Sequence, residues 1–87
     1  MTQNFVFSTD ILSLSMQVEE YCDHNTTDKC IEVIVPYLKH EHKYVRKGAF
    51  AGLMMHLRDP RIHTILTDAY SVETSEELKE LMREILE

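Results

Sequence analysis

Residues 43–62 read KYVRKGAFAGLMMHLRDPRI, and the way this stretch winds decides the fold. Val45, Ala49, Gly52, Leu53 and His56 recur at helical spacing on one face. Lys43, Lys47, Phe50, Met54 and Leu57 mark a second face, where Phe50 and Met54 are apolar. A helix with two apolar faces is packed on two sides, so an inner helix is expected near 43–57. Gly48 and Gly52 lie four apart, and each costs about 1 kcal/mol of helix propensity. That cost points to another helix approaching closely on their side. Arg58, Asp59 and Pro60 then stop one helix and start the next. Asp59 serves as N-cap and Pro60 as the first helical residue, where its missing N–H does no harm.

Working outward, the same signals repeat. Ser8, Thr9 and Asp10 are good caps. They precede Ile11, Leu14, Val18 and Tyr21 or Cys22, which predict a helix near 9–23. Upstream, Phe5, Val6 and Phe7 form an apolar arm expected to cover the open end of the core. Thr27 is the expected cap of a second helix near 28–39, with Cys30, Val33, Ile34, Tyr37 and Leu38 inward. Pro36 removes a backbone donor inside it, so a kink or an early end is expected. A fourth helix near 60–70 buries Ile62, Ile65, Leu66 and Ala69. Thr74 and Glu77 read as a capping box for a fifth helix near 75–86. Its apolar stripe is Leu78, Leu81, Met82, Ile85 and Leu86.

The chain has 87 residues, which fits a single domain over 1–87. Its apolar fraction is 44%, ordinary for a folded protein, and its two Gly and two Pro suit long helices joined by short turns. No apolar run reaches membrane-spanning length. Residues 1–10 lack the basic and apolar regions of a signal peptide, so the expected compartment is cytoplasmic. Free buried thiols at Cys22 and Cys30 fit that compartment better than a disulfide. The net charge of −6 disfavours general nucleic-acid binding. Yet the charge is uneven. Residues 39–63 hold six Lys or Arg against two carboxylates, and residues 73–87 hold six Glu against two cations.

Two self-similar pairs emerge. Val45, Arg46, Ala49 and Leu53 align with Leu78, Lys79, Met82 and Leu86 at an offset of 33. Cys30, Val33, Ile34 and Tyr37 align with Ile62, Ile65, Leu66 and Ala69 at an offset of 32. Two-helix units of this length stack, because neither can bury its apolar face alone. The first helix is then the second half of an incomplete unit. The fold expected is all-α: an α-α superhelix, or short helical solenoid, of about five helices. An unrelated helical bundle is the alternative.

Over residues 28–87 the chain resembles the HEAT repeat family, especially its short bacterial variety first noted in phycobilin lyases. The resemblance rests on Tyr37 and Leu38, on Val45, Arg46, Ala49 and Leu53, and on the run from Leu57 to Ile62. It implies two and a half HEAT-like repeats and a scaffold that binds other macromolecules. The family tends to place Asp in the turn before the Val–Arg pair. Here His40 stands there, and Glu41 is the expected partner of Arg46. The spaced Trp, Gly, Tyr and Pro of tetratricopeptide repeats are missing.

Catalytic chemistry finds little footing. There is no G-x-S-x-G, no phosphate-binding Gly loop and no H-E-x-x-H. Cys22 and His24 are two apart and do not share a helix face. His40 and His42 sit in a turn as solvated residues, so no metal or other cofactor is expected. His56, His63, Arg58 and Arg61 could form an anion site at the start of helix four, but a capped polar turn is favoured. The most informative cluster is basic. Lys43, Arg46, Lys47, Arg58, Arg61 and His63 are the expected partner-binding residues, with Lys39 beside them. The acidic fifth helix is the other charged candidate. The function expected is a regulatory one, a small protein-binding adaptor or inhibitor rather than an enzyme. The alternative is a nucleic-acid-binding protein using 39–61. A homodimer is also allowed, because short solenoids expose apolar surface at their ends.

Overall fold

A computed structural model of the chain describes residues 9–87. Five α-helices follow one another: α1 (Ile11–Asp23), α2 (Thr27–Ile34), α3 (Lys43–Met54), α4 (Pro60–Val72) and α5 (Glu76–Leu86). A short 3-10 helix, Val35–Lys39, extends α2. There is no strand among the described residues. The apolar arm at 5–7 lies outside them.

Each start has a local cause. Asp10 caps α1 by accepting from the amide of Ser13 at 3.0 Å. Asp59 caps α4 by accepting from the amide of Arg61 at 2.9 Å, with Pro60 next, as expected. Two caps differ from expectation by one residue. Thr26, not Thr27, accepts from Lys29 and caps α2. Ser75, not Thr74, accepts from Leu78 and caps α5. The capping box of Thr74 and Glu77 does not form, because the helix starts one residue later, at the Ser75 cap. Glu73 accepts the Ser75 amide from outside the helix at 2.8 Å. Glu77 is left to bond Lys43.

Pro36 has the expected effect. It cannot donate to the carbonyl one turn back, so α2 ends at Ile34 and the chain tightens into the 3-10 form. The end of α3 tightens too. Residues 55–57 bond three residues back rather than four, so α3 stops at Met54, short of the expected 57. α4 runs two residues past the expected 70, to Val72.

α3 sits in the middle. α1 packs along it, α5 meets its start, α2 and its 3-10 extension also pack against it, and the 3-10 helix touches α4. The contacts repeat the offset seen in the sequence. Gly48 faces Ser15 and Gly52 faces Glu19, each pair 33 apart. Arg61 bonds Asp28, also 33 apart, and Lys43 bonds Glu77, 34 apart. α1 and α3 therefore run in the same direction. The core is one cluster that includes Val18, Ile34, Val45, Phe50, Leu53, Ile62, Leu66 and Met82. Burying a side chain such as Phe50 stabilises the fold by about 1.5 to 3 kcal/mol. The whole is a slab of 45 × 27 × 15 Å. No helix among the described residues is long and apolar enough to cross a membrane.

Candidate functional site

The six basic residues singled out by their charge do not form one patch. Arg46 is used internally. It rises from α3 and lays its guanidinium against Glu73, which follows α4. Its Nε donates to Oε1 at 2.9 Å and its Nη2 to Oε2 at 2.8 Å. Its Nη1 donates to the carbonyls of His40 at 2.8 Å and Glu41 at 3.0 Å. Glu41 thus contributes its backbone, while the carboxylate partner is Glu73. The Glu73 side chain is 2% exposed and that of Arg46 is 12%. Burial pushes the Glu73 carboxyl up. The bonds from Arg46 and from the amides of Ser75 and Thr74 outweigh it and hold the group below its ordinary value. One guanidinium therefore ties α3 to two turns of chain, at His40–Glu41 and at Glu73.

The other five divide between the two ends of α3. Lys43 and Lys47 stand at its start, one turn apart on one face. Lys43 reaches Glu77 at 3.2 Å, and Lys47 is exposed. They border a shallow cleft of about 190 Å³ with Tyr44, Ser75, Leu78 and Leu81. Arg58, Arg61 and His63 lie past the other end, and all three are exposed. α3 has 12 residues, so about 18 Å of helix separates the two groups. Arg61 is held by Asp59 and Asp28, each at 2.8 Å. Its bonds to Asp59 draw that carboxyl below its ordinary value and raise its own basicity.

His56 does not join Arg58 and Arg61. It turns to the far side, and its Nε2 lies 2.9 Å from the carbonyl of Cys22. Its Nδ1 lies 2.8 Å from Thr27 Oγ1. A carbonyl only accepts, so Nε2 carries a proton, and in the neutral ring the Thr27 hydroxyl then donates to Nδ1. This pair of bonds joins the end of α1, the start of α2 and the turn after α3. His56→Ala should cost about 1 to 2 kcal/mol. Urea unfolding of that variant beside Thr27→Val gives the check, since the two losses share one bond and should fall short of additive.

Other titratable groups also have structural work. His42 caps α3 by accepting from the amide of Tyr44 at 3.2 Å, and His40 accepts from the amide of His42 at 3.0 Å. No standard cap residue marks this turn, so the sequence carried no signal for it. Cys22 and Cys30 are free and buried, as expected. Burial pushes the Cys22 thiol far up, and its bond to Cys30 adds to the rise. Burial also raises Cys30, with the bond from Cys22 opposing. Such thiols are poor nucleophiles.

The described surface also carries an apolar groove between the 3-10 helix and α4. It measures about 450 Å³, and Val35, Leu38, Ile65, Ala69 and Val72 give it apolar walls. Lys39 and Asp68 place one charge of each sign on its rims. Val72 is 69% exposed. The groove continues past Leu38 and Val72 toward the bonded Arg46 and Glu73. The charge pattern gave no hint of it, because its residues are scattered through two elements.

No family model, curated protein or solved structure matches the chain. The functional reading therefore rests on these surfaces.

Proposed function

We propose that the chain is a small protein-binding adaptor or inhibitor, built as two and a half HEAT-like helical hairpins and without catalytic activity. Its groove takes one amphipathic helix of a protein partner. The observation that carries the reading is the open apolar groove walled by Val35, Leu38, Ile65, Ala69 and Val72. A helix lying there buries an apolar stripe and sets a carboxylate against Lys39 and a cation against Asp68. Contacts 33 residues apart between neighbouring hairpins support the HEAT-like part of the reading. The basic residues support a nucleic-acid surface less well. One is taken into the Arg46–Glu73 pair, two more have carboxylate partners, and the set is split between the ends of α3.

The test is a display library of amphipathic helical peptides selected against the full chain, with binding measured by titration calorimetry. Selected peptides should lose at least tenfold in affinity on Val72→Asp, a change at an exposed position that leaves the helix content intact. Failure to select any peptide, or affinities untouched by Val72→Asp, would count against the groove. Duplex DNA or single-stranded RNA is the comparison probe. Binding that falls steeply with salt and vanishes in Lys47→Glu with Arg58→Glu would replace this reading by the nucleic-acid one.

A further inference from the structure

Two histidines in succession use the same ring atom for the same task. The amide of His42 donates to His40 Nδ1 at 3.0 Å, and the amide of Tyr44 donates to His42 Nδ1 at 3.2 Å. An amide N–H can only donate, so each Nδ1 offers a lone pair and each ring carries its hydrogen on Nε2. The two bonds run in series from the end of the 3-10 helix to the first turn of α3, and the second is the side-chain cap of that helix. Arg46 Nη1 reaches back from α3 to the carbonyls of His40 and Glu41. The turn is thus closed from both sides, with both rings half-buried in it.

A proton on Nδ1 removes the lone pair, and histidine ordinarily changes charge between about pH 5 and 8. The His42 and Tyr44 amides then lose their acceptors. A charged ring at the cap also meets the positive end of α3. His56 shows the contrast. Its Nδ1 faces the Thr27 hydroxyl, which can turn round and accept when the ring is charged. An amide has no such choice. The cations Lys39, Lys43 and Arg46 and the carboxylates Glu41, Glu73 and Glu77 come to this turn from the 3-10 helix, α3, the turn after α4 and α5. They balance in number, and the Tyr44 ring, 5.2 Å from that of His42, brings no charge. The lone pairs and the helix end therefore set the sign.

We propose that the turn 40–42 is a proton-responsive clasp on the start of α3. With both rings neutral the clasp is shut, α3 begins at Lys43, and the carbonyls of His40 and Glu41 face Arg46. With the rings protonated the two amides are released, the first turn of α3 frays, and those carbonyls draw away from Arg46. The Arg46–Glu73 pair persists, because Glu73 stays ionised in this range. His40 and Glu41 also line the extension of the apolar groove, so that end of the groove loosens with the clasp. The inference stands on the geometry of the turn and holds whatever the groove binds.

Imidazole nitrogen NMR of the full chain, titrated from about pH 8 to about pH 5, reads the clasp directly. At the upper end both rings should show hydrogen on Nε2 and a bare Nδ1. As they charge, the His42 and Tyr44 amides should lose protection from hydrogen exchange by about fivefold or more, after correction for the intrinsic effect of pH. That is the factor an ordinary cap is worth. The amide of Leu53, deep in α3, should keep its protection. His40→Asn with His42→Asn leaves an acceptor at each place that does not titrate. In that chain the Tyr44 amide should be equally protected at both ends of the range. Hydrogen on Nδ1 of either ring at about pH 8 overturns the proposal. So does a native Tyr44 amide equally protected throughout, or a loss as large in the doubly substituted chain.

Discussion

Arg46→Ala is expected to lower the free energy of unfolding by about 3 to 5 kcal/mol. The magnitude follows from what the change strands. The Glu73 carboxylate is buried, and two of its bonds come from this one guanidinium. Without Arg46 only the Ser75 and Thr74 amides oppose the cost of burial, so the carboxylate must be held unpaired or take up a proton, and either costs stability. The carbonyls of His40 and Glu41 lose their donor as well. Guanidinium chloride unfolding measures the loss. A loss under about 1 kcal/mol, the range of an exposed pair, would show that the clip does not hold the fold. Replacing both partners, Arg46→Met with Glu73→Leu, should recover most of the stability, because no buried charge is then left alone.

The same clip sets a pH dependence. Glu73 titrates below its ordinary value in the folded chain, and an unfolded glutamate titrates near about 4.3. Its contribution is therefore fully present above that pH. It is lost as the pH falls from there through the folded value. The Glu73→Gln chain should be less stable at neutral pH and should show a flatter fall in acid.

Gly48→Ala is the second large effect. In an exposed helix this change stabilises by about 1 kcal/mol. Here the sign should reverse, with a net loss of about 3 kcal/mol, at the upper end of overpacking costs. A Cβ at Gly48 would stand 2.4 Å from the backbone oxygen of Ser15. Backbone cannot rotate aside as a side-chain tip can, so α1 must move away from α3. The Ser15–Tyr44 bond is then strained or lost. Gly52→Ala is the internal control. Its Cβ would meet Cys22 Sγ at 3.1 Å and Glu19 backbone at 3.2 Å, so a shift of a few tenths of an ångström suffices. Thermal unfolding should rank Gly48→Ala well below Gly52→Ala. Equal stabilities would mean that α1 and α3 do not approach as closely as described.

Much of the helical framework was legible in the residues. Pro36 ended α2, Asp59 and Pro60 started α4, and the apolar stripes picked the buried faces. These signals are local, acting within one or two turns. The one-residue errors arose where two hydroxyl residues stand together, at Thr26 and Thr27 and at Thr74 and Ser75. Either member of such a pair can cap. The choice followed from a distant partner in one case: Thr27 is held by His56, 29 residues away. The candidate site was less legible. Charge counting grouped Arg46 with the surface cations, although it is the one drawn inside. It also missed the groove of Val35, Leu38, Ile65, Ala69 and Val72.

By itself the sequence determined an all-helical chain, the approximate limits of its five helices and the near-33-residue offset between similar pairs. Hydrogen bonds within a turn and the period of apolar residues carry that information along the chain. Tertiary structure alone decided which carboxylate Arg46 takes, since Glu73 is 27 residues distant and competes with the nearer Glu41. It alone decided how close α1 comes to α3 at Gly48. It also decided which apolar side chains, Leu12, Met16, Tyr44 and Met55, remain on the surface. Those outcomes depend on distances across the packed layers, and residue order does not encode such distances one neighbour at a time.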